Sequence, residues 1–131
     1  MATIRREISV GTSAQRAWDA VRDVGAVHRR LVPGVLTDTT MEPGARTVTF
    51  ANGMVIRERI VDVDDAARRL VWSATGGRLE HHNASLQVLE DGEGRCRLVW
   101  IADLLPDAVA GDIGALMDLG AAAMKRALDG G

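Results

Sequence analysis

The sequence is poor in the residues that support several kinds of functional site. Its 131 residues include one cysteine, three prolines, three tryptophans, one phenylalanine and no tyrosine. The single cysteine, Cys96, excludes an intramolecular disulfide and is typical of a reducing compartment. Its place in an alternating pattern predicts a buried, inert thiol. With so few aromatic side chains, the protein has almost no rings that could stack on nucleic-acid bases.

The chain also lacks an excess of charge of one sign and a long apolar run. Sixteen basic and 18 acidic residues give a net charge of −2, so no basic field attracts nucleic acid or an anionic membrane. No apolar run approaches the roughly 20 residues that a membrane-spanning helix needs. The first seven residues lack the apolar core of a signal peptide. We therefore expect a cytoplasmic protein with no nucleic-acid partner and no membrane span, folded as one domain over residues 1–131.

The first third of the sequence predicts a strand followed by two helices. Residues 3–10 alternate between apolar and polar side chains, which is typical of a strand. Thr12 or Ser13 then caps a helix over residues 14–24, whose apolar face includes Trp18. A second, short helix is predicted over residues 25–31. It ends ahead of Pro33, because the residue before a proline is disfavoured in helical conformation.

Strands and turns follow as far as residue 104. The predicted strands span residues 35–41, 46–50, 54–63, 69–75, 82–90 and 95–104. Short turns separate them, and Asn52-Gly53 is the strongest hairpin signal. Successive strands joined by short turns form an antiparallel meander. Such a sheet has two exposed edges, so both a monomer and a homodimer are compatible with the sequence.

The last quarter of the chain is its most informative part. Residues 113–128 predict one long amphipathic helix. The apolar stripe starts just before this helix, at Val109. It continues with Ile113, Leu116, Met117, Gly120, Met124, Ala127 and Leu128. The middle of the helix is unusually small in side-chain size, because residues 120–123 are one glycine and three alanines. We expect these small residues to border open volume beneath the helix, where a small molecule binds.

The order of elements and four segments resemble a known family. These segments are Trp18 in the first helix, Leu31 to Val35, Asn52 to Ile60, and Arg97 to Trp100. Together they resemble the polyketide cyclase/dehydrase-like branch of the START-like (SRPBCC) superfamily over nearly the whole chain. The resemblance implies a bacterial-type α+β protein with a helix-grip fold. In that fold a seven-stranded curved antiparallel sheet wraps around a long C-terminal helix, with two short helices after the first strand. It also implies a ligand cavity between the sheet and that helix.

Glu58 is the first candidate catalytic residue. In the strand over residues 54–63 it shares a face with Met54, Ile56, Ile60 and Asp62, so we expect it to point inward. A carboxylate in an apolar pocket can act as a general acid or base. The alternative is a cross-strand ion pair with an arginine on a neighbouring strand.

His82 is the second candidate. It shares a face with Ala84, Leu86 and Val88, whereas His81 points to the other face. A general-base His82 near Glu58 would form a proton-transfer pair. The alternative is a histidine at a strand end, hydrogen-bonded to the backbone. With so few histidines and one cysteine, we expect no metal site and no cofactor.

Trp72 and Trp100 also fall on apolar alternations and predict either pocket walls or plain core. The candidate ligand-binding residues are Ile56, Trp72, Leu86, Trp100, Ile113, Met117, Gly120 and Met124. The family's layout also places His28, Arg29 and Arg30 near the pocket mouth, either steering an anionic ligand or simply solvated.

Three functions follow from the sequence. The first is binding of a small hydrophobic molecule, lipid-, polyketide- or aromatic-like, in the cavity. The second is a cyclase or dehydratase in which Glu58 and His82 move protons while the cavity holds the substrate folded. The third is a protein-interaction module that uses a sheet edge or a helix surface.

Overall fold

A computed structural model of the protein describes residues 1–129. The helices are α1 (Ala14–Arg22), α2 (Val27–Arg30) and α3 (Ala110–Leu128), and 3-10 turns precede α2 (Val24–Ala26) and α3 (Asp107–Val109). The strands are β1 (Ala2–Val10), β2 (Leu36–Glu42), β3 (Ala45–Phe50), β4 (Val55–Asp64), β5 (Arg69–Thr75), β6 (His81–Glu90) and β7 (Cys96–Leu105).

The seven strands form one antiparallel sheet in the order β1-β7-β6-β5-β4-β3-β2. Strands β2 to β7 follow one another as a meander, and β1 returns to pair with β7. The sheet curves around α3, and the two short helices follow β1. The predicted α+β class and helix-grip fold are confirmed. Within residues 1–129, no helix combines the length and apolarity that crossing a bilayer requires.

The first helix ends two residues earlier than predicted. Ser13 caps it, since its hydroxyl accepts a hydrogen bond from the backbone N–H of Arg16 at 3.2 Å. Asp23 then leaves helical conformation, with a ψ of 70°. The predicted second helix is therefore divided into a 3-10 turn and the single turn of α2. Trp18 is buried, and its Nε1 donates to Asp65 Oδ1 at 2.8 Å.

A register shift in β4 overturns part of the predicted alternation. The pairing with β5 slips between Ile60 and Asp62, as in a β-bulge. Because a one-residue slip exchanges the two faces of a strand, Asp62 is exposed and Val63 packs against the core. The sequence pattern predicted the opposite for both residues.

The apolar stripe of α3 faces the core along most of its length. Met117, Gly120, Met124 and Leu128 are buried, together with Val109 in the turn ahead of the helix. Ala127 is exposed and is a correction to the predicted stripe. It borders a surface cleft that also involves Arg16, Arg29 and Arg30, and this cleft leaves its methyl group open to solvent.

The small residues of α3 have a different role from the one expected of them. A Cβ placed on Gly120 would lie 2.9 Å from the Trp100 ring, so the missing side chain allows the helix to approach the indole closely. Ala122 is exposed and Ala123 is fully buried in the core. The expectation that the whole run borders open volume is therefore wrong. Gly120 borders the cavity described below, but it does so in tight contact with Trp100.

This contact makes Gly120 and Gly111 respond oppositely to the same substitution. Gly120→Ala forces the Trp100 ring to move and should lower the free energy of unfolding by about 1–3 kcal/mol. Gly111→Ala, in the same helix, places its methyl group where no atom lies within 4 Å. It should raise the free energy of unfolding by about 0.4–1 kcal/mol, because the unfolded chain loses freedom. Urea unfolding of both variants checks this, and equal effects would contradict the close contact.

Candidate functional site

A cavity of about 500 Å³ lies between the inner face of the sheet and α3. Side chains from β2 to β7, from α2 and from α3 line it. All ten candidate site residues border it, namely Ile56, Glu58, Trp72, His82, Leu86, Trp100, Ile113, Met117, Gly120 and Met124. Their roles in binding and catalysis stay predictions.

Exposed residues of α3 and of the loop that joins β5 to β6 border the cavity. Leu119 on α3 borders it with 59% of its surface exposed. Arg78 in the loop and Asp112 on α3 also border it, and they form an exposed ion pair with each other. This pair connects the loop to the helix at the border of the cavity.

The walls are apolar apart from a few side chains. Trp72 and Trp100 stand side by side, with ring centroids 6.3 Å apart and planes inclined at 45°. Trp72 is buried, and Trp100 is the ring that contacts Gly120. The two indoles thus form a continuous aromatic wall from the sheet to α3.

An ion pair lies at the β3–β4 side of the cavity. Arg46 and Glu58 face each other across the two strands, and Nε of Arg46 donates to Oε1 of Glu58 at 2.7 Å. Their side chains are 4% and 13% exposed. Arg46 also donates through Nη1 to the carbonyl of Val24 at 3.1 Å, and its guanidinium lies 5.7 Å from the centre of the Trp72 ring.

Arg46 is the site residue that the sequence reasoning missed. Its signal was present, because Arg46, Val48 and Phe50 alternate along β3 and Val48 is fully buried. Glu58 points inward as expected, and its partner is an arginine on the neighbouring strand, which was the alternative interpretation. One carboxylate oxygen of Glu58 is therefore occupied by a structural contact.

His82 borders the cavity from β6 and is 9% exposed. Its Nδ1 accepts a hydrogen bond from the backbone N–H of Ala74 at 3.0 Å, and its own carbonyl accepts one from the Ser73 hydroxyl at 2.6 Å. Burial, and to a lesser degree the neighbouring His81, lowers the pKa of His82. The ring is therefore neutral at physiological pH, and His81 lies exposed on the other face.

Glu58 and His82 border the same cavity without touching. Ala74 pairs with Glu58 across β4 and β5 and donates to His82 from the other side. Two strand spacings separate the backbones of Glu58 and His82, roughly 10 Å. Because Nδ1 of His82 already accepts from Ala74, its other ring nitrogen carries the proton in the neutral form. In this geometry His82 offers a donor to the cavity instead of the free lone pair that a general base needs.

The basic residues expected at the mouth lie elsewhere. His28 is half-buried, and its Nδ1 lies 2.8 Å from the hydroxyl of Thr39 on β2. Arg29 and Arg30 border the surface cleft beside Ala127 and do not line the cavity. No cluster of three or more His, Cys, Asp or Glu side chains with the spacing of a metal site occurs in residues 1–129.

The Arg46–Glu58 pair predicts a strong dependence of stability on both charges. Glu58→Gln leaves the buried guanidinium without its counter-charge and should lower the free energy of unfolding by about 3–5 kcal/mol. Glu42→Gln is the matched control, because Glu42 on β2 pairs with Arg57 on β4 and both side chains are exposed. Exposed pairs contribute little, so this control should have a far smaller effect. Denaturant unfolding compares the two, and equal losses would contradict a buried charge pair.

The environment of His82 predicts a pH dependence of stability. Its pKa is lowered in the folded protein, whereas in the unfolded chain it lies near the ordinary value of about 6.5. The unfolded state therefore takes up the proton first as the pH falls. The contribution of His82 should be complete above about pH 6.5 and should decline as the pH falls from there toward the folded-state pKa.

Unfolding of the His82→Asn variant at a series of pH values tests this dependence. Asparagine does not titrate, so the variant should lose less stability than the wild type on acidification. His81→Asn is the control and should keep most of the wild-type slope. Identical slopes in the wild type and His82→Asn would exclude His82 as the group responsible.

The family of the chain is established by comparison with known proteins. The family model for "Polyketide cyclase / dehydrase and lipid transport" matches residues 1–131. A comparison with curated proteins gives no match.

Solved structures share the fold of this chain. A solution structure from Thermobifida fusca is 29% identical, with a TM-score of 0.72 and coverage of 98% of this chain and 97% of the other. A START superfamily protein from Mycobacterium smegmatis is 12% identical, with a TM-score of 0.78 and coverage of 96% of each chain. The di-domain ARO/CYC BexL from the BE-7585A biosynthetic pathway is 14% identical over 96% of this chain and 46% of its own, with a TM-score of 0.83. The match of the family model over the whole chain shows that this protein belongs to the polyketide cyclase/dehydrase and lipid transport family.

Proposed function

We propose that the protein binds a small hydrophobic molecule, lipid-, polyketide- or aromatic-like, in the cavity between the sheet and α3. The observation that carries this proposal is the cavity itself, about 500 Å³ in volume. Ligand sites in proteins typically have volumes of about 300–1,000 Å³, with apolar walls and a few placed polar groups. The two indoles provide such walls, and Arg46, Glu58 and His82 provide the polar groups.

The energetics of the cavity support occupation by an apolar ligand. Its walls combine aromatic rings with aliphatic and methionine side chains from both the sheet and α3. Water against these walls is unfavourable, and each Å² of apolar surface removed from water contributes about 25 cal/mol. The polar groups inside are mostly paired with one another and with the backbone, so an apolar ligand does not strip them of hydrogen bonds.

The second candidate function is a cyclase or dehydratase, which is one of the activities named for the family. One observation favours it, because Glu58 and His82 both border the cavity on either side of Ala74. Among the described hydrogen bonds, Glu58 uses only Oε1. Its other oxygen keeps lone pairs that can take a proton from a bound substrate. Glu58 is therefore the candidate base in this version, and His82 the candidate hydrogen-bond donor.

A ligand screen with a cavity-filling variant tests the binding function. Ala74 borders the cavity, and Ala74→Leu fills part of it. Ala122→Leu makes the same change on the exposed side of α3, away from the cavity. A ligand at about one hundred times its Kd stabilises the folded state by about 2.7 kcal/mol, which raises Tm by several degrees.

We expect bicyclic aromatic and fatty-acyl compounds to raise the Tm of the wild type and of Ala122→Leu, and not that of Ala74→Leu. Circular dichroism of each variant confirms that it is folded. Absence of any shift across such compounds in the wild type would contradict the proposal and favour the protein-interaction module. Turnover of a bound compound, lost in the Glu58→Gln protein that still binds it, would establish the enzyme.

A further inference from the structure

The polar side chains of the cavity differ in which of their hydrogen-bonding atoms already have a partner. Among the hydrogen bonds of residues 1–129, Arg46 uses Nε and Nη1, Glu58 uses Oε1 and His82 uses only Nδ1. Within the same residues, the only buried side-chain nitrogen or oxygen atoms without a hydrogen-bond partner are Arg97 Nε and Trp100 Nε1. His82 Nε2 is therefore not sealed inside the protein. Because the side chain borders the cavity, the surface of Nε2 opens into it.

The protonation of that nitrogen is set by the backbone. A peptide N–H can only donate, so the bond from Ala74 requires a lone pair on Nδ1 of His82. A neutral imidazole has one N–H and one lone pair. The proton must therefore be on Nε2, and the ring cannot exchange these roles without breaking the bond to Ala74.

His82 can therefore only donate a hydrogen bond into the cavity, whereas the Arg46–Glu58 pair can both donate and accept. At the β3–β4 side, Nη2 of Arg46 can donate and Oε2 of Glu58 can accept, so that end tolerates either kind of ligand group. At the β6 side, Nε2–H of His82 can only donate. Trp72 on β5 and Ala102 on β7 lie diagonally across the strands from His82, and neither offers a side-chain acceptor.

We propose that His82 determines the specificity of the cavity by donating a hydrogen bond from Nε2 to an oxygen acceptor on an otherwise apolar ligand. A ketone, ester or ether oxygen fits this donor, and a pure hydrocarbon leaves it unpaired. Sites built to hydrogen-bond a ligand reject analogues that lack the matching group, because a buried polar group is then left without a partner. This inference rests on the proposed ligand-binding function.

Two probes of almost equal shape test the inference. Tetralin is a bicyclic hydrocarbon, and α-tetralone is the same ring system with one ketone oxygen. Titration calorimetry at about pH 8, above the ordinary histidine pKa, gives the ratio of their Kd values for each protein. Comparing this ratio between variants removes the difference in how water solvates the two probes.

His82→Asn is the informative variant. The asparagine oxygen can still accept from the N–H of Ala74, whereas its shorter side chain cannot extend the donor to the position of Nε2. The preference for α-tetralone over tetralin should fall roughly 5–10-fold relative to the wild type, as expected for one hydrogen bond. His81→Asn makes the same change on the exposed neighbour and should leave the ratio unchanged.

NMR of ¹⁵N-labelled histidine in the free wild-type protein tests the first step without any ligand. We expect His82 to be the Nε2–H tautomer, and we expect α-tetralone but not tetralin to shift its Nε2–H signal. The Nδ1–H tautomer, or an unchanged probe ratio in His82→Asn, would overturn the role of His82 while leaving the cavity as the ligand site. Failure of both probes and of fatty-acyl compounds to bind the wild type would overturn the proposed function as well.

Discussion

One helix has to cover the inner face of a seven-stranded sheet, and the rest of the structure depends on that mismatch. Seven strands at about 4.8 Å spacing form a surface roughly 29 Å wide, whereas a helix with its side chains is only about 10–12 Å across. α3 packs chiefly along β1, at one edge of the sheet, and α1 and α2 cover parts of the rest. The inner face of the middle strands is therefore left without a close-packed partner. Curvature of the sheet around α3 turns this uncovered face into an enclosed space.

The polar groups in this space are arranged so that few of them lack a partner. Arg46 is almost fully buried, and it is held by Glu58, by the carbonyl of Val24 and by the face of Trp72. His82 is buried beside them and accepts from the backbone of the neighbouring strand. Buried charges need such partners, because desolvation of an unpaired ion costs several kcal/mol. The pairing is what allows an apolar cavity to contain an arginine and a carboxylate, and it leaves Nε2 of His82 as a directed donor.

The architecture was predictable because it follows from local periodicity. Alternation gave seven strands, turn residues separated them, and the 3.6-residue period gave α3. The register shift in β4 was not predictable, because it arises from the pairing of β4 with β5. The residue pattern of either strand taken alone does not reveal that pairing. Because of this shift, Asp62 is exposed and Val63 packs against the core, the reverse of the predicted faces.

The sequence predicted which residues of the candidate site face inward, but it did not predict the contacts that those residues make. Alternation placed Glu58 and His82 on the inner face, but their partners, Arg46 and the Ala74 N–H, come from neighbouring strands. Gly120 shows the same limit, since a missing side chain permits either open space or close approach. Only the position of Trp100 decides between the two, and it decides for close approach.

Native mass spectrometry of the freshly purified protein tests the central claim most directly. If the cavity is a ligand site, the wild-type protein should carry a non-covalent small-molecule adduct, either retained from the cell or acquired from added α-tetralone. Gentle activation in the gas phase should release that adduct and leave the mass of the bare chain. The bare chain alone, both before and after incubation with hydrophobic compounds, would contradict the account.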